Sequence, residues 1–302
     1  MEISKVKKVW NTADLATTRN VSWLSVPCFG LDAVMEYMGA DFSNDLSQSM
    51  HNILLKRPGV NAERLTGLAV ACGDMTGELT IFNSKIASFY EIDGMDVSDV
   101  SLNKAIQNVK TAGIKFNPVL ADCNNLKLPE NHYDTIVGHS AIHHIENLEN
   151  LFSQIAGSLK PGGLFYCFEY IGPNYIQVSL RNRMLAAILV NLLVWPPARR
   201  ITHENKSKLI IRNINFKQID PSEAVRSSEI IKIATDHLNI LKLHMFGGLN
   251  YPAFEGIGQH FTNCDGDVKL AKRFLKIEKI VTGMRLIKPL FCFMLAEKKQ
   301  SS

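Results

Sequence analysis

Three histidines and a serine crowd one short stretch of the chain: His139, Ser140, His143 and His144 in GHSAIHHIENL. Imidazole titrates near neutrality, so such a cluster suits proton removal or metal binding. His139 and His143 are four residues apart, the spacing that puts two side chains on one helix face. No persuasive third ligand accompanies them, so no metal site is expected. A cap or a hydrogen bond across a turn is the plainer role for at least one. Glu169 lies further on in CFEYIGPN, with Tyr170 and Asn174 beside it. Its carboxylate either enters a substrate cleft or stands solvated at a strand end. His144 and Glu169 are the candidate bases, although catalysis by positioning alone needs neither.

Upstream lie residues suited to a nucleoside. Ala71-Cys72-Gly73-Asp74-Met75-Thr76-Gly77 is a turn whose glycines let backbone N–H groups approach a ligand. Alone it is weak evidence, since any tight turn asks for glycine. Asp96, 19 residues beyond Gly77, closes the run IDGMD. A carboxylate there can accept both ribose hydroxyls, where a lone Asp would otherwise cap a helix. Asp122 in LADCNN can receive an adenine amino group, with the Cys123 amide against the ring.

These residues need a scaffold that brings them together. Leu68–Cys72, Ala87–Met95, Lys115–Leu120, Tyr133–Val137 and Leu164–Phe168 read as strands. Asn103–Ala112 and Leu148–Leu159 read as helices, the second stopped by Lys160-Pro161-Gly162-Gly163. This alternation describes βαβ units and a parallel sheet, with ligands at the carboxyl ends of the strands. Ile240–Phe246 and Leu290–Leu295 supply two more strands, with Leu270–Leu286 partly helical between them. The expected fold is α/β: a Rossmann-like, doubly wound, seven-stranded sheet. Residues 1–60 form a helical cap region, including Leu31–Met38 and Gln48–Lys56. Residues 61–171 form the core, 172–237 a helical insertion after strand five, and 238–302 the completion of the sheet. Within the insertion, Tyr175–Trp195, Glu204–Ile211 and Ser222–His237 are helix candidates. Trp10 and Trp23 are expected to pack, and the loop 246–258 to wall a pocket.

The composition sets outer limits. The 302 residues carry 33 Lys and Arg against 29 Asp and Glu, a net +4, without the concentrated basic charge of a nucleic-acid binder. Six scattered cysteines without CxxC suit a reduced, cytoplasmic protein, and MEISKVKKVW lacks the apolar core of a signal peptide. The apolar run Leu185–Trp195 is too short to span a bilayer. It reads as a cap or oligomer-contact helix, with peripheral membrane contact the lesser reading. Arg181, Arg183, Arg199, Arg200 and His203 flank it and can hold a carboxylate or phosphate; Arg226 can touch substrate or core.

The order and spacing of these segments resemble a class I S-adenosylmethionine-dependent methyltransferase of the small-molecule type, over about residues 65–170 with a continuation to 297. That family's first loop is acidic-x-Gly-x-Gly-x-Gly. Gly73 and Gly77 match its first and third glycines, while Ala71 replaces the acidic residue and Met75 the middle glycine. The resemblance implies S-adenosylmethionine as cofactor. It puts Asp96 on the ribose, Val97 on the adenine, Asp122 and Cys123 at the adenine edge and His139 by the methionine part. Asp74 would stand in for the missing acid. His143 and His144 match a pair that often has no catalytic part. O- or N-methylation of a small molecule follows, in secondary-metabolite or sugar biosynthesis, with a homodimer possible. Ala71 and Met75 equally suit a catalytically weak scaffold or regulatory protein, and the apolar run a lipid or quinone methyltransferase at a membrane surface. A nicotinamide oxidoreductase is disfavoured, because GDMTGE lacks the GxGxxG spacing.

Overall fold

The strand Leu159–Tyr170, β5, shows how the sheet organises the molecule. Tyr166 and Phe168 project to one face and Phe165 and Cys167 to the other, all buried, because successive side chains alternate across a strand. A strand apolar on both faces belongs in the middle of a sheet covered on both sides. The computed structural model describes residues 3–13, 15–29, 46–82, 89–202 and 204–299. Its strands are β1 Leu65–Val70, β2 Phe89–Asp96, β3 Phe116–Leu120, β4 Tyr133–His139, β5 Leu159–Tyr170, β6 Leu238–Phe246 and β7 Phe291–Lys298. They form one sheet in the order β3-β2-β1-β4-β5-β7-β6. The first five are parallel, and β7 runs antiparallel between β5 and β6. The chain reverses direction across the sheet between β1 and β4, the position where open α/β sheets bind ligands.

The helices are α1 Ile3–Thr12, α2 Leu15–Val21, α3 Leu46–Leu55, α4 Leu79–Phe82, α5 Asp99–Ala112 and α6 Leu148–Ser158, followed by α7 Leu180–Leu193, α8 Phe216–Ile219, α9 Ile230–His237, α10 Asn250–Phe254 and α11 Asp265–Gly283. Ser98 caps α5 by accepting from the Ser101 amide at 3.0 Å, and Gly113 ends that helix in the left-handed region. The expected helix Leu31–Met38 and His203 lie outside the described residues.

Two expectations for the insertion are corrected. Residues 204–211 are not helical: Ile201 and Ser207 bridge in antiparallel fashion, and Asn205 turns the chain with positive φ. Thr202 Oγ1 accepts from the Lys206 amide at 3.0 Å, a side-chain turn that competes with helix. Residues 222–226 are a turn as well, since Asp220 Oδ1 accepts from the Ser222 amide at 2.9 Å; the helix begins only at Ile230.

The N-terminal helices are tied over the carboxyl ends of the strands. Lys7 pairs with Asp99 at 2.8 Å, and Asn11 accepts from Ser98 Oγ at 2.7 Å. The loop 246–258 braces this roof from behind and forms none of the cavity wall, contrary to expectation. Gly256 N donates to the Val21 carbonyl at 3.0 Å, and Glu255 accepts from Trp23 N at 3.1 Å. Glu278 on α11 stiffens the same loop, accepting from the amides of Gly247, Leu249 and Asn250.

Candidate active site

A cavity of about 520 Å³ opens at the carboxyl ends of β1, β2 and β4. Its floor is the turn after β1. Gly73 sits at φ +52 with open space where a Cβ would point, so the backbone there is bared to the cavity. Gly77 has a different reason to be glycine: a Cβ would lie 2.5 Å from His139 Nδ1. Ala71 and Met75 also take positive φ, a conformation that costs a residue with a side chain.

Asp96 ends β2 facing this turn. Its two oxygens accept from the amides of Gly73 at 2.8 Å and Ser98 at 2.7 Å. Burial outweighs these bonds and raises its carboxyl above the usual range. Val97 lines the wall beside it, as do Asp122 and Cys123 after β3. Asp122 also caps a turn, accepting from Asn124 N at 2.9 Å and Asn125 Nδ2 at 3.0 Å. His139 lies beneath, stacked on Phe168 at 5.1 Å between ring centres. Ala71, Gly73, Asp74, Gly77, Asp96, Val97, Asp122, Cys123 and His139 therefore all border one cavity.

Asp74 borders it with its charge already engaged. Arg19 on α2 grips it through two hydrogen bonds, 3.0 and 2.9 Å long. Burial works to raise Asp74, but Arg19 and Thr76 prevail and hold it low. A second carboxylate was overlooked in the sequence. Glu78, next to Gly77, is buried against the cavity, and burial pushes its carboxyl up to about 8. The absence of an acid at Ala71 is the signal that could have prompted a search for it.

The histidines separate. His139 ends β4, whereas His143 and His144 occupy a single 3-10 turn, so His139 and His143 share no helix face. His143 is clamped between carboxylates: Nδ1 bonds Glu169 Oε1, and Nε2 lies 3.4 Å from Glu223 Oε1. Burial opposes its charge, but Glu169 and Glu223 push it up to about 10. Burial and the His143 charge instead hold His144 below the ordinary imidazole value. His143, His144 and Glu223 bring three metal-type donor atoms within 4.8 Å of one another, a third ligand the sequence had not suggested.

His144 borders the cavity, with Trp10 edge-on at 4.8 Å. Behind it stands a short relay. Ser222 Oγ donates to Asp220 Oδ1 at 2.6 Å and lies 3.2 Å from His144 Nδ1. With its one proton directed at Asp220, the hydroxyl accepts from Nδ1–H, which leaves Nε2 as the ring's acceptor.

The expectation that Glu169 enters the substrate side is corrected. Glu169 is fully buried away from the cavity, and its oxygens accept from the amides of Ala141, Ile142 and Tyr170 as well as binding His143. It anchors the turn that carries the histidines. The arginines flanking the apolar run are redirected, and Arg226 takes its core alternative by reaching Glu149 on α6. Arg183, Arg199 and Arg200 bond backbone carbonyls, Arg199 also Asp267 at 2.6 Å, and Arg226 binds Glu149 and Glu229. Trp23 is core, whereas Trp10 joins Val6, Thr18, Ser22, Leu24 and Ser25 in the cavity roof.

Residues 68–167 match the model of a family described as a methyltransferase domain. The chain is 30% identical over 109 residues to the demethylmenaquinone methyltransferase of Symbiobacterium thermophilum, covering 35% of this chain and 43% of that protein. It is 25% identical over 226 residues to squalene methyltransferase 1 of Botryococcus braunii, covering 72% of this chain and 55% of that one. The chain thus spans about half the length of these curated relatives. Among solved structures, the geranyl diphosphate C-methyltransferase of Streptomyces coelicolor A3(2) superposes with a TM-score of 0.52, 12% identity and 98% of both chains covered. That enzyme was solved with Mg2+, geranyl-S-thiolodiphosphate and S-adenosyl-L-homocysteine; at this identity the likeness is one of fold. The sheet order and the domain match over residues 68–167 together give the chain the Rossmann-like fold of class I methyltransferases.

Proposed function

We propose that the protein methylates an oxygen or nitrogen of a small, largely apolar molecule, and that His144 takes the acceptor's proton. The observation that carries this is the Asp220–Ser222–His144 relay ending at the cavity wall. A neutral imidazole with a fixed tautomer is the form a proton acceptor needs. Glu169 and Glu223 act through His143: they hold it charged, and its charge keeps His144 neutral. Val6, Trp10 and Leu24 in the roof favour an apolar acceptor and exclude water.

When bound, S-adenosylmethionine supplies an electrophilic sulfonium methyl group. The residues present fit it. Asp96 would receive the ribose hydroxyls, the Cys123 amide and Asp122 the adenine edge, and Val97 the adenine face. Glu78 would take the methionine ammonium group, since Arg19 already holds Asp74. Lipophilic acceptors are also in keeping with the names of the quinone and squalene relatives. Calorimetric titration with S-adenosylmethionine and S-adenosylhomocysteine tests the cofactor site; absence of heat at millimolar ligand overturns the proposal. Methyl transfer to phenols and amines, compared with His144→Gln, tests the base.

A further inference from the structure

Helix α7 has an apolar face that nothing in the described chain covers. Leu180, Met184, Ile188, Leu192 and Trp195 recur at helical spacing and are each between 53% and 73% exposed. The opposite face, with Asn182, Ala186 and Val190, is buried. An apolar helix face of this length left open to solvent calls for a partner. The segment 209–214 runs alongside: Asn191 Nδ2 donates to the Leu209 carbonyl at 3.3 Å and Arg183 to that of Ile211 at 2.9 Å. It adds exposed Leu209, Ile210 and Ile214 to the same region.

Charge identifies the partner. Residues 175–219 contain eight Lys and Arg but one acid, Glu204, a net +7 in a chain whose total is +4, so the remainder is −3. Arg181, Arg212 and Lys217 are exposed on this segment. Arg199 is paired with Asp267 and Lys206 with Glu204, which leaves exposed Arg181, Arg212 and Lys217; two copies meeting here would oppose these like charges, whereas an anionic lipid surface complements both them and the apolar stripe. The 14 residues of α7 are too few to cross a bilayer, and no helix among the described residues is long and apolar enough to do so. A helix of this kind lies in the plane of the interface, with tryptophan at its boundary.

We propose that α7 and segment 209–214 form a docking surface for an anionic membrane, with Leu180, Met184, Ile188, Leu192 and Trp195 dipping into the acyl boundary. The test is flotation of the full chain with vesicles of phosphatidylcholine alone or with phosphatidylglycerol. Binding is expected with the anionic vesicles and should weaken with salt. The pairs Ile188→Asp/Leu192→Asp and Arg181→Glu/Arg212→Glu should each reduce it by about fivefold or more. Their S-adenosylmethionine titrations serve as the folding control, because these side chains lie outside the cavity wall. If a variant fails to fold, the Trp195 emission of the wild type, isolated by comparison with Trp195→Phe, should shift to the blue on anionic vesicles. The proposal is overturned by an unbound protein, by binding that neither pair changes, or by a dimer without lipid affinity that Ile188→Asp/Leu192→Asp makes monomeric.

Discussion

Arg19 in the roof and Asp74 in the floor of the cavity are joined by two parallel hydrogen bonds of 3.0 and 2.9 Å. A guanidinium matches a carboxylate in this fork, so the contact fixes orientation as well as charge. Arg19 is half exposed, which limits what the pair adds to stability. Arg19→Ala should lower stability by less than about 1 kcal/mol. S-adenosylmethionine affinity should fall several-fold because the roof loosens; calorimetry and thermal melts read the two effects separately.

Asp96 offers a second test. Asp96→Asn keeps an acceptor for one backbone amide but removes the charge. Affinity for S-adenosylmethionine should drop about tenfold or more. An unchanged affinity would reject the ribose assignment.

Glu78→Gln should discriminate between parts of the cofactor. Affinity for S-adenosylhomocysteine should fall, while 5′-methylthioadenosine, which lacks the amino-acid part, should bind as before. Equal losses would show that Glu78 shapes the cavity rather than receiving the ammonium group.

His144→Gln should reduce turnover by about 10²- to 10⁴-fold. Burial and the charge of His143 lower the imidazole's pKa, so the acidic limb of the wild-type rate profile should fall below pH 6.5. A profile unchanged in shape by the substitution would remove His144 as the base.

The His143 clamp predicts a pH dependence of stability. Its folded-state pKa, about 10, exceeds the ordinary 6.5, so its contribution is complete below about pH 6.5 and fades as pH rises towards 10. Glu223 is lowered to about 2 despite burial, by His144 and His143, so its share is lost instead as pH falls from 4.5 towards 2. Melting temperatures of wild type and His143→Gln should converge at the alkaline end of this range.

Local patterns carried the fold and the cavity floor. Alternating apolar runs and glycine stops are short-range signals, and the residues proposed for the cofactor sit where those elements end. Asp96 and Asp122 were legible because a strand's carboxyl end is marked in the chain itself. Three-dimensional packing decided the rest. Glu169 and Glu223, both acids near turns, meet His143 from opposite sides, and only the docking of the insertion on β4 and β5 reveals it. Glu78 carries no local signal in the chain, and its burial against the cavity comes from the packing around it. Trp10 and Trp23 look alike in sequence, yet one lines the roof and the other fills the core, because burial depends on what packs above. The sequence by itself determined a sheet parallel over its first five strands, with a ligand cavity at its switch point. The tertiary structure decided which carboxylates hold positive charge, since a buried group's charge state is set by neighbours far away in the chain.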